Sequence, residues 1–268
     1  MLSSGNPALK AIDLSRPQRW ADLEAVAPRT MTIGGSITAT AILLGVCASV
    51  AVGVWSFMPR PMVIPVGLGC GILGFLLALG ITFKPRSAQY LGFVYAALQG
   101  AFVAAVSLFW VTFVSDRAAA AGAGGGGVVA SLDTGLITQA VLLTFGIAGA
   151  MLVAYASRLI RATPGFIKGV FAATIGVVVA SLGSMLLRFL GVQVPFLWDM
   201  GGLGIAISAG IVVLAALMLV IDFHIIEEGT AAGAPKWMEW YAGFALVVTL
   251  VWLYVSILRL LALLQSRE

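Results

Sequence analysis

Charged residues are spaced along this chain so that seven long stretches contain none. Only 10% of its 268 residues are charged, whereas a soluble protein has about 25%. The hydrocarbon core of a bilayer is about 30 Å thick and needs about 20 helical residues to cross. The charge-free stretches of about this length or more are 30–59, 61–83, 87–115, 134–157, 169–187, 200–221 and 240–258. The sequence therefore predicts an all-α protein, a polytopic bundle of seven transmembrane helices.

Charges and helix-breaking residues set the expected limits of these helices. We predict a tail at 1–30, a transmembrane domain at 31–264 and a second tail at 265–268. The helices are expected at about 31–57, 62–83, 88–114, 135–157, 166–190, 201–228 and 236–264. A further uncharged stretch, 118–132, is predicted to be a loop, because each glycine of its run Gly124–Gly127 costs about 1 kcal/mol in a helix.

The distribution of Lys and Arg predicts the orientation of the chain in the membrane. The first 29 residues contain no apolar run that resembles a signal-peptide core, so we do not expect a secreted protein. With a cytoplasmic N-terminus, the cytoplasmic side holds ten Lys and Arg residues and the other side five, as the positive-inside rule requires. The odd number of helices then places the C-terminus outside. The lipid bilayer is the expected partner and nucleic acid is not, because the basic residues are dispersed among the loops.

The motifs of soluble enzymes and of cofactor binding are absent from the sequence. There is no phosphate-binding loop, no Gly-x-Ser-x-Gly turn and no Cys-x-x-Cys pair. His224 is the one histidine of the chain, so neither common zinc-protease ligand set can form. His224 and Glu228 share one helical face, and we expect an ion pair there. The sequence predicts a protein that is not an enzyme and has no cofactor.

Two acidic residues fall inside the predicted sixth and seventh helices. Asp222 precedes the expected end of its helix near Glu228 by six residues, about 9 Å, and Glu239 follows the expected start near Lys236 by three residues, about 4.5 Å. The free amides and dipole of a first helical turn stabilise an acid such as Glu239. Asp222 lies where burial and the dipole both disfavour its ionised form, so it is the stronger candidate for a proton-linked or cation-binding carboxylate. The alternative is an interfacial aspartate that is hydrated or paired with Lys236.

Residues 219–261 resemble the sixth and seventh helices of a known family. Asp222-Phe223 followed by the motif Gly-x-Pro-x-x-Met-Glu-Trp-Tyr at 233–241 is specific, and weaker similarities at 6–10, 31–44, 95–100 and 157–166 extend over most of the chain. These residues resemble the Bax inhibitor-1 family of membrane proteins in its bacterial branch. The resemblance implies seven helices in the bacterial cytoplasmic membrane, with the C-terminal helix central and surrounded by the other six.

The resemblance also implies an ion-leak function. Family members with a studied activity pass calcium in a pH-sensitive way through a pore gated by two aspartates on helices six and seven. The first of them matches Asp222, whereas Thr249 occupies the position of the second. The arginine that latches the pair has no counterpart in helix two. Relatives in the closer branch often carry acids where this chain has Gln99, His224 and Ser256.

These differences predict a weakened acidic site. Two neighbouring carboxylates titrate as a unit, which Asp222 alone cannot do. We therefore expect a weaker pH response, with Asp222 as the main titrating group and a transient calcium ligand, and with Thr249, Gln99 and Glu239 contributing oxygen ligands suited to a hard cation.

A second hypothesis belongs to another functional class. Loss of the second acid favours a non-conducting membrane regulator that binds other membrane proteins, such as a membrane protease. Such a protein would bind its partner through the N-terminal tail or the lipid-facing helices and would be indifferent to substitution of Asp222.

Overall fold

A computed structural model describes residues 30–120, 126–190 and 202–266. Its helices are α1 (Ile33–Phe57), α2 (Arg60–Phe83), α3 (Ala88–Ala120), α4 (Gly126–Ala156), α5 (Pro164–Phe189), α6 (Gly202–Ala231) and α7 (Met238–Gln265), with a 3-10 turn at Pro85–Ser87 between α2 and α3. All seven are long and apolar enough to cross a membrane. The prediction of an all-α bundle of seven transmembrane helices is confirmed.

The predicted loop at 118–132 is wrong at both ends. Helix α3 continues to Ala120 and α4 begins at Gly126, so that only residues 121–125 lie outside the described part of this connection. Alanine has the highest helix propensity, and the run that begins at Ala118 therefore extends α3. The first amides of a helix lack partners within the helix in any case, so glycines are tolerated at the start of α4.

Helix α7 lies at the centre of the bundle, as expected. Its most apolar stretch is 61% buried, whereas that of α5 is 6% buried. It packs against α1, α3, α4 and α6. The expectation that all six other helices surround it is wrong for two of them within the described ranges, because α2 contacts α1 and α3, and α5 contacts α6. The bundle is thus a five-helix core with two outer helices.

Glycines allow the closest approaches between helices. Gly67, Gly71 and Gly74 face α3, and a Cβ atom on Gly71 would lie 2.6 Å from the ring of Phe102. A Cβ atom on Gly243 of α7 would lie 2.9 Å from the backbone nitrogen of Thr40 in α1. Since lipid tails are as apolar as the helices, close backbone packing of this kind supplies much of the association energy.

Contacts between connections identify one end of the bundle, where α1, α3, α5 and α7 begin. Met31 N donates to Ala234 O at 2.6 Å, and the Arg86 guanidinium lies 5.8 Å from the centre of the Trp237 ring. We call this end the N-terminal face. The Lys and Arg residues on it in the described ranges are Lys84, Arg86, Arg158, Arg161, Lys168 and Lys236.

Candidate functional site

Asp222 lies deeper in its helix than the sequence predicted. Helix α6 continues past Glu228 to Ala231, so Asp222 is nine residues from its end, about 14 Å along the axis. The expected end near Glu228 is wrong because no residue there stops the hydrogen-bond ladder, and Ala232 N still donates to Glu228 O at 2.8 Å. The chain turns away only at Gly233, where φ is 68°, a conformation that glycine adopts without strain.

Asp222 faces Thr249 across the contact between α6 and α7. Both side chains are buried, and the Thr249 hydroxyl lies beside the Asp222 carboxyl group. The same hydroxyl lies 3.3 Å from Ala245 O in its own helix. Oδ2 of Asp222 has no hydrogen-bond partner. A buried polar atom without a partner is rare in proteins and points to a proton, a water molecule or an ion at that position.

Lys236 does not neutralise Asp222. Its Nζ atom lies 3.2 Å from Oε1 of Glu239, and Asp222 forms no ion pair with any residue in the described ranges. The predicted alternative of an Asp222–Lys236 pair is therefore wrong. Lys236 and Glu239 are three residues apart at the start of α7, so they meet on one face. Asp222, in contrast, lies about 14 Å from the end of α6.

Glu239 joins the start of α7 to the start of α1. Its Oε1 atom accepts hydrogen bonds from Thr32 N at 2.9 Å and Thr32 Oγ1 at 2.8 Å. Thr32 Oγ1 in turn accepts from Gly35 N at 3.0 Å and caps α1. Glu239 lies ten residues before Thr249 in α7, about 15 Å along the axis. The structure does not bring Glu239 to Asp222.

Gln99 lies on the other side of α7. Its Nε2 atom donates to Tyr95 Oη at 2.9 Å, and the Tyr95 ring packs edge-on against Phe244 of α7 with centroids 4.8 Å apart. Helices α3 and α6 do not contact each other within the described ranges. Of the four site residues predicted from sequence, the structure therefore brings together Asp222 and Thr249 and keeps Gln99 and Glu239 apart from them.

Two cavities open at the surface of the bundle, and none of the four predicted residues lines either one. A cavity of about 390 Å³ lies between α1, α3 and α4, with α7 as its floor. A cleft of about 630 Å³ lies at the N-terminal face between α1, α4 and α6. The sequence analysis did not identify Arg158, Arg161 and Thr163 as lining residues of this cleft. Two arginines close together in the short α4–α5 connection could have indicated an anion site there.

The rim of this cleft contains a polar cluster. His224 Nε2 lies 3.5 Å from Glu228 Oε1, so the two side chains meet on one helical face as predicted. The Tyr155 hydroxyl donates to Glu227 and lies 3.4 Å from His224 Nδ1. No group of three His, Cys, Asp or Glu side chains suited to holding a metal occurs in the described part of the chain.

Comparison with known proteins agrees with these features. A model of the family described as Bax inhibitor 1 like matches residues 6–266, nearly the whole chain. Searches of curated proteins and of solved structures find no match. The family match covers every described helix, including the α6–α7 pair that carries Asp222 and Thr249. The chain belongs to the Bax inhibitor 1-like family.

Proposed function

We propose that this protein is a leak pathway for calcium or other cations across the membrane that it spans, with Asp222 as the group that binds the ion or a proton. The observation that carries the proposal is the carboxyl group of Asp222, which is buried about 14 Å inside α6 and leaves Oδ2 without a partner. Acidic residues at membrane depth are rare and mark ion or proton pathways.

Asp222 and Thr249 supply the kind of ligands that calcium prefers. A hard cation takes carboxylate, hydroxyl and water oxygens, and these two residues offer the first two across one helix contact. A proton competes with the cation for the same carboxylate, so flux falls when Asp222 is neutral. A single carboxylate gives a shallower pH dependence than a coupled pair. Because Asp222 is buried and lines neither cavity, conduction in this proposal involves a rearrangement between α6 and α7.

The proposed setting is a bacterial cytoplasmic membrane, with the N-terminus in the cytoplasm and the C-terminus outside. The concentration of Lys and Arg on the N-terminal face supports this orientation. In this proposal the protein performs no chemical reaction and binds no cofactor. Its ligands are calcium or protons and the surrounding lipid, not nucleic acid.

Calcium flux into liposomes that contain the purified protein tests the proposal. We expect Asp222→Asn, which preserves shape and removes the charge, to lower flux at least tenfold at neutral pH. Glu228→Gln is the matched control, since it removes an exposed carboxylate from the same helix, and it is expected to leave flux within twofold of the wild type. Thr249→Asp adds the second acid and is expected to steepen the pH dependence. Unchanged flux in Asp222→Asn would refute the site, and no flux in the wild type would refute the leak pathway.

The second candidate function is a non-conducting regulator that binds another membrane protein. The burial of Asp222 between packed helices favours it. This candidate predicts a membrane protein, such as a protease, that co-purifies equally with the wild type and with Asp222→Asn. Absence of flux together with such co-purification would replace the leak proposal.

A further inference from the structure

The cleft at the N-terminal face has apolar walls and a cationic rim. Ile33 and Ile37 of α1 form one wall and Leu152 of α4 contributes to the other, and all three are about half exposed. Arg158 and Arg161 lie at the rim, in the connection between α4 and α5. An apolar wall beside two positive charges matches an amphiphile with a negatively charged head.

The two arginines are available to bind an anion. Neither forms an ion pair with another residue in the described ranges. Arg158 is the one described non-glycine residue with positive φ, at 59°, and it lies just past the end of α4, where many helices end in a left-handed residue. Thr163 also lines the cleft at the start of α5 and accepts a hydrogen bond from Phe166 N at 3.3 Å. Glu227 of α6 is the acidic residue that lines the cleft, and its carboxylate accepts a hydrogen bond from the Tyr155 hydroxyl.

A second, apolar cavity lies further along α7, between the same two helices α1 and α4. Helices α1 and α4 do not contact each other in the described ranges, and both line the cleft and the second cavity. Leu246 of α7 lines the cleft and Leu250, one helical turn further, lines the second cavity. We call the space between α1 and α4, which contains both cavities, the lateral seam; one of its ends is charged and the other is apolar.

The part of this seam between its charged rim and the start of the second cavity fits one leaflet of a bilayer. Half of the hydrocarbon core is about 15 Å, the length of about ten helical residues. Ten residues beyond Ile33 is Leu43, next to Leu44, where the second cavity begins along α1. A lipid with its head at the rim would have the ends of its acyl chains at this level.

We propose that this seam is a binding site for an anionic phospholipid of the leaflet at the N-terminal face. Arg158 and Arg161 hold the lipid phosphate, and the acyl chains lie between α1 and α4 against Leu246 and Leu250. Basic pockets between transmembrane helices bind anionic lipid heads in this way. The proposal does not depend on ion conduction, because neither Asp222 nor Thr249 lines the seam.

Native mass spectrometry of the full-length protein, titrated in detergent with phosphatidylglycerol, tests the proposal. Each positive charge near a lipid surface changes affinity about fivefold. We expect about a fivefold loss of affinity for Arg158→Gln or Arg161→Gln, and roughly 25-fold for the double variant. Lys84→Gln is the control, since it removes a charge from the same face outside the seam, and it is expected to change affinity less than twofold.

Two further measurements identify the ligand. Leu152→Trp narrows the seam without changing charge and is expected to weaken binding of phosphatidylglycerol, whereas Leu142→Trp, on an exposed part of α4 outside the seam, is not. Equal affinity for phosphatidylcholine, competition by millimolar inorganic phosphate as strong as by lipid, or wild-type affinity in the double arginine variant would each overturn the proposal. All substituted side chains are exposed, and helicity measured by circular dichroism confirms that each variant is folded.

Discussion

Gly35 gives Glu239 the space that it needs to reach α1, and Gly35→Ala tests how much this junction stabilises the bundle. A Cβ atom on residue 35 would overlap the Glu239 carboxyl group. The carboxyl group would have to leave Thr32 N and Thr32 Oγ1, to which it is bound at 2.9 and 2.8 Å. Gly35→Ala therefore breaks hydrogen bonds between the first and the last helix, whose partners are 207 residues apart in sequence, without changing either partner.

The magnitude follows from those two hydrogen bonds. Hydrogen bonds to charged groups contribute about 1.5–3 kcal/mol each, and Thr32 is exposed, so we expect about 2–4 kcal/mol in total for Glu239→Ala after screening by solvent. Gly35→Ala alone should lower the free energy of unfolding by a similar amount. In the Glu239→Ala background the overlap is gone, and Gly35→Ala should be neutral or stabilising by up to about 1 kcal/mol, because alanine favours the helix.

A double-mutant cycle measures this coupling. Unfolding of the four proteins by SDS in mixed micelles, followed by circular dichroism, gives each free energy. We expect a coupling energy of about 2–4 kcal/mol. Additive effects of the two substitutions would refute the reasoning. Calcium flux through Glu239→Gln should equal that of the wild type, since Glu239 is about 15 Å from Thr249 along α7. Loss of flux in this variant would show that Glu239 belongs to the ion pathway.

Three further predictions concern packing and topology. Gly100→Ala is expected to lower the free energy of unfolding by about 1–3 kcal/mol, because its Cβ would overlap a backbone carbonyl of α1. Gly45→Ala is the control and should be neutral, since a Cβ atom there has nothing within 4 Å. Equal effects of the two substitutions in SDS unfolding would contradict the packing. Tyr254→Phe removes the 2.8 Å hydrogen bond to Ser107 and should destabilise by about 0.6 kcal/mol, at most about 1.7, in the same assay. Ser266→Cys is expected to react with a membrane-impermeant thiol reagent added outside intact cells, and reaction only after permeabilisation would reverse the proposed orientation.

The number of helices and most of their limits could be predicted because each limit depends on local chemistry. The charge-free stretch 61–83 predicts a helix at 62–83, and the structure has Arg60–Phe83. The loop prediction for residues 118–132 is wrong because it considers only the helix cost of the glycines. The alanines that precede them favour the helix and extend α3. The end of α6 was misplaced by three residues, since Glu228 and Gly229 continue the hydrogen-bond ladder until Gly233 reverses the chain.

The candidate site could be predicted only in part. Depth in a helix is a property of one segment, so the sequence indicated Asp222, and the family resemblance indicated Thr249 opposite it. Sequence could not show that α7 separates Gln99 from α6, or that Glu239 is engaged by Thr32. Both depend on how helices far apart in sequence are rotated about their axes. The lateral seam was invisible for the same reason, because it exists only where α1 and α4 fail to meet.

The sequence by itself determined that this chain spans a membrane seven times, because charged side chains are too costly in hydrocarbon to lie anywhere but at helix ends and at a few special positions. It also determined that Asp222 is such a position. Only the tertiary structure decided which polar groups Asp222 meets, which helices enclose α7 and where the bundle opens to lipid. In an apolar solvent almost every face of an apolar helix is acceptable, so the choice of face is made by close backbone contacts at residues such as Gly100 and Gly243.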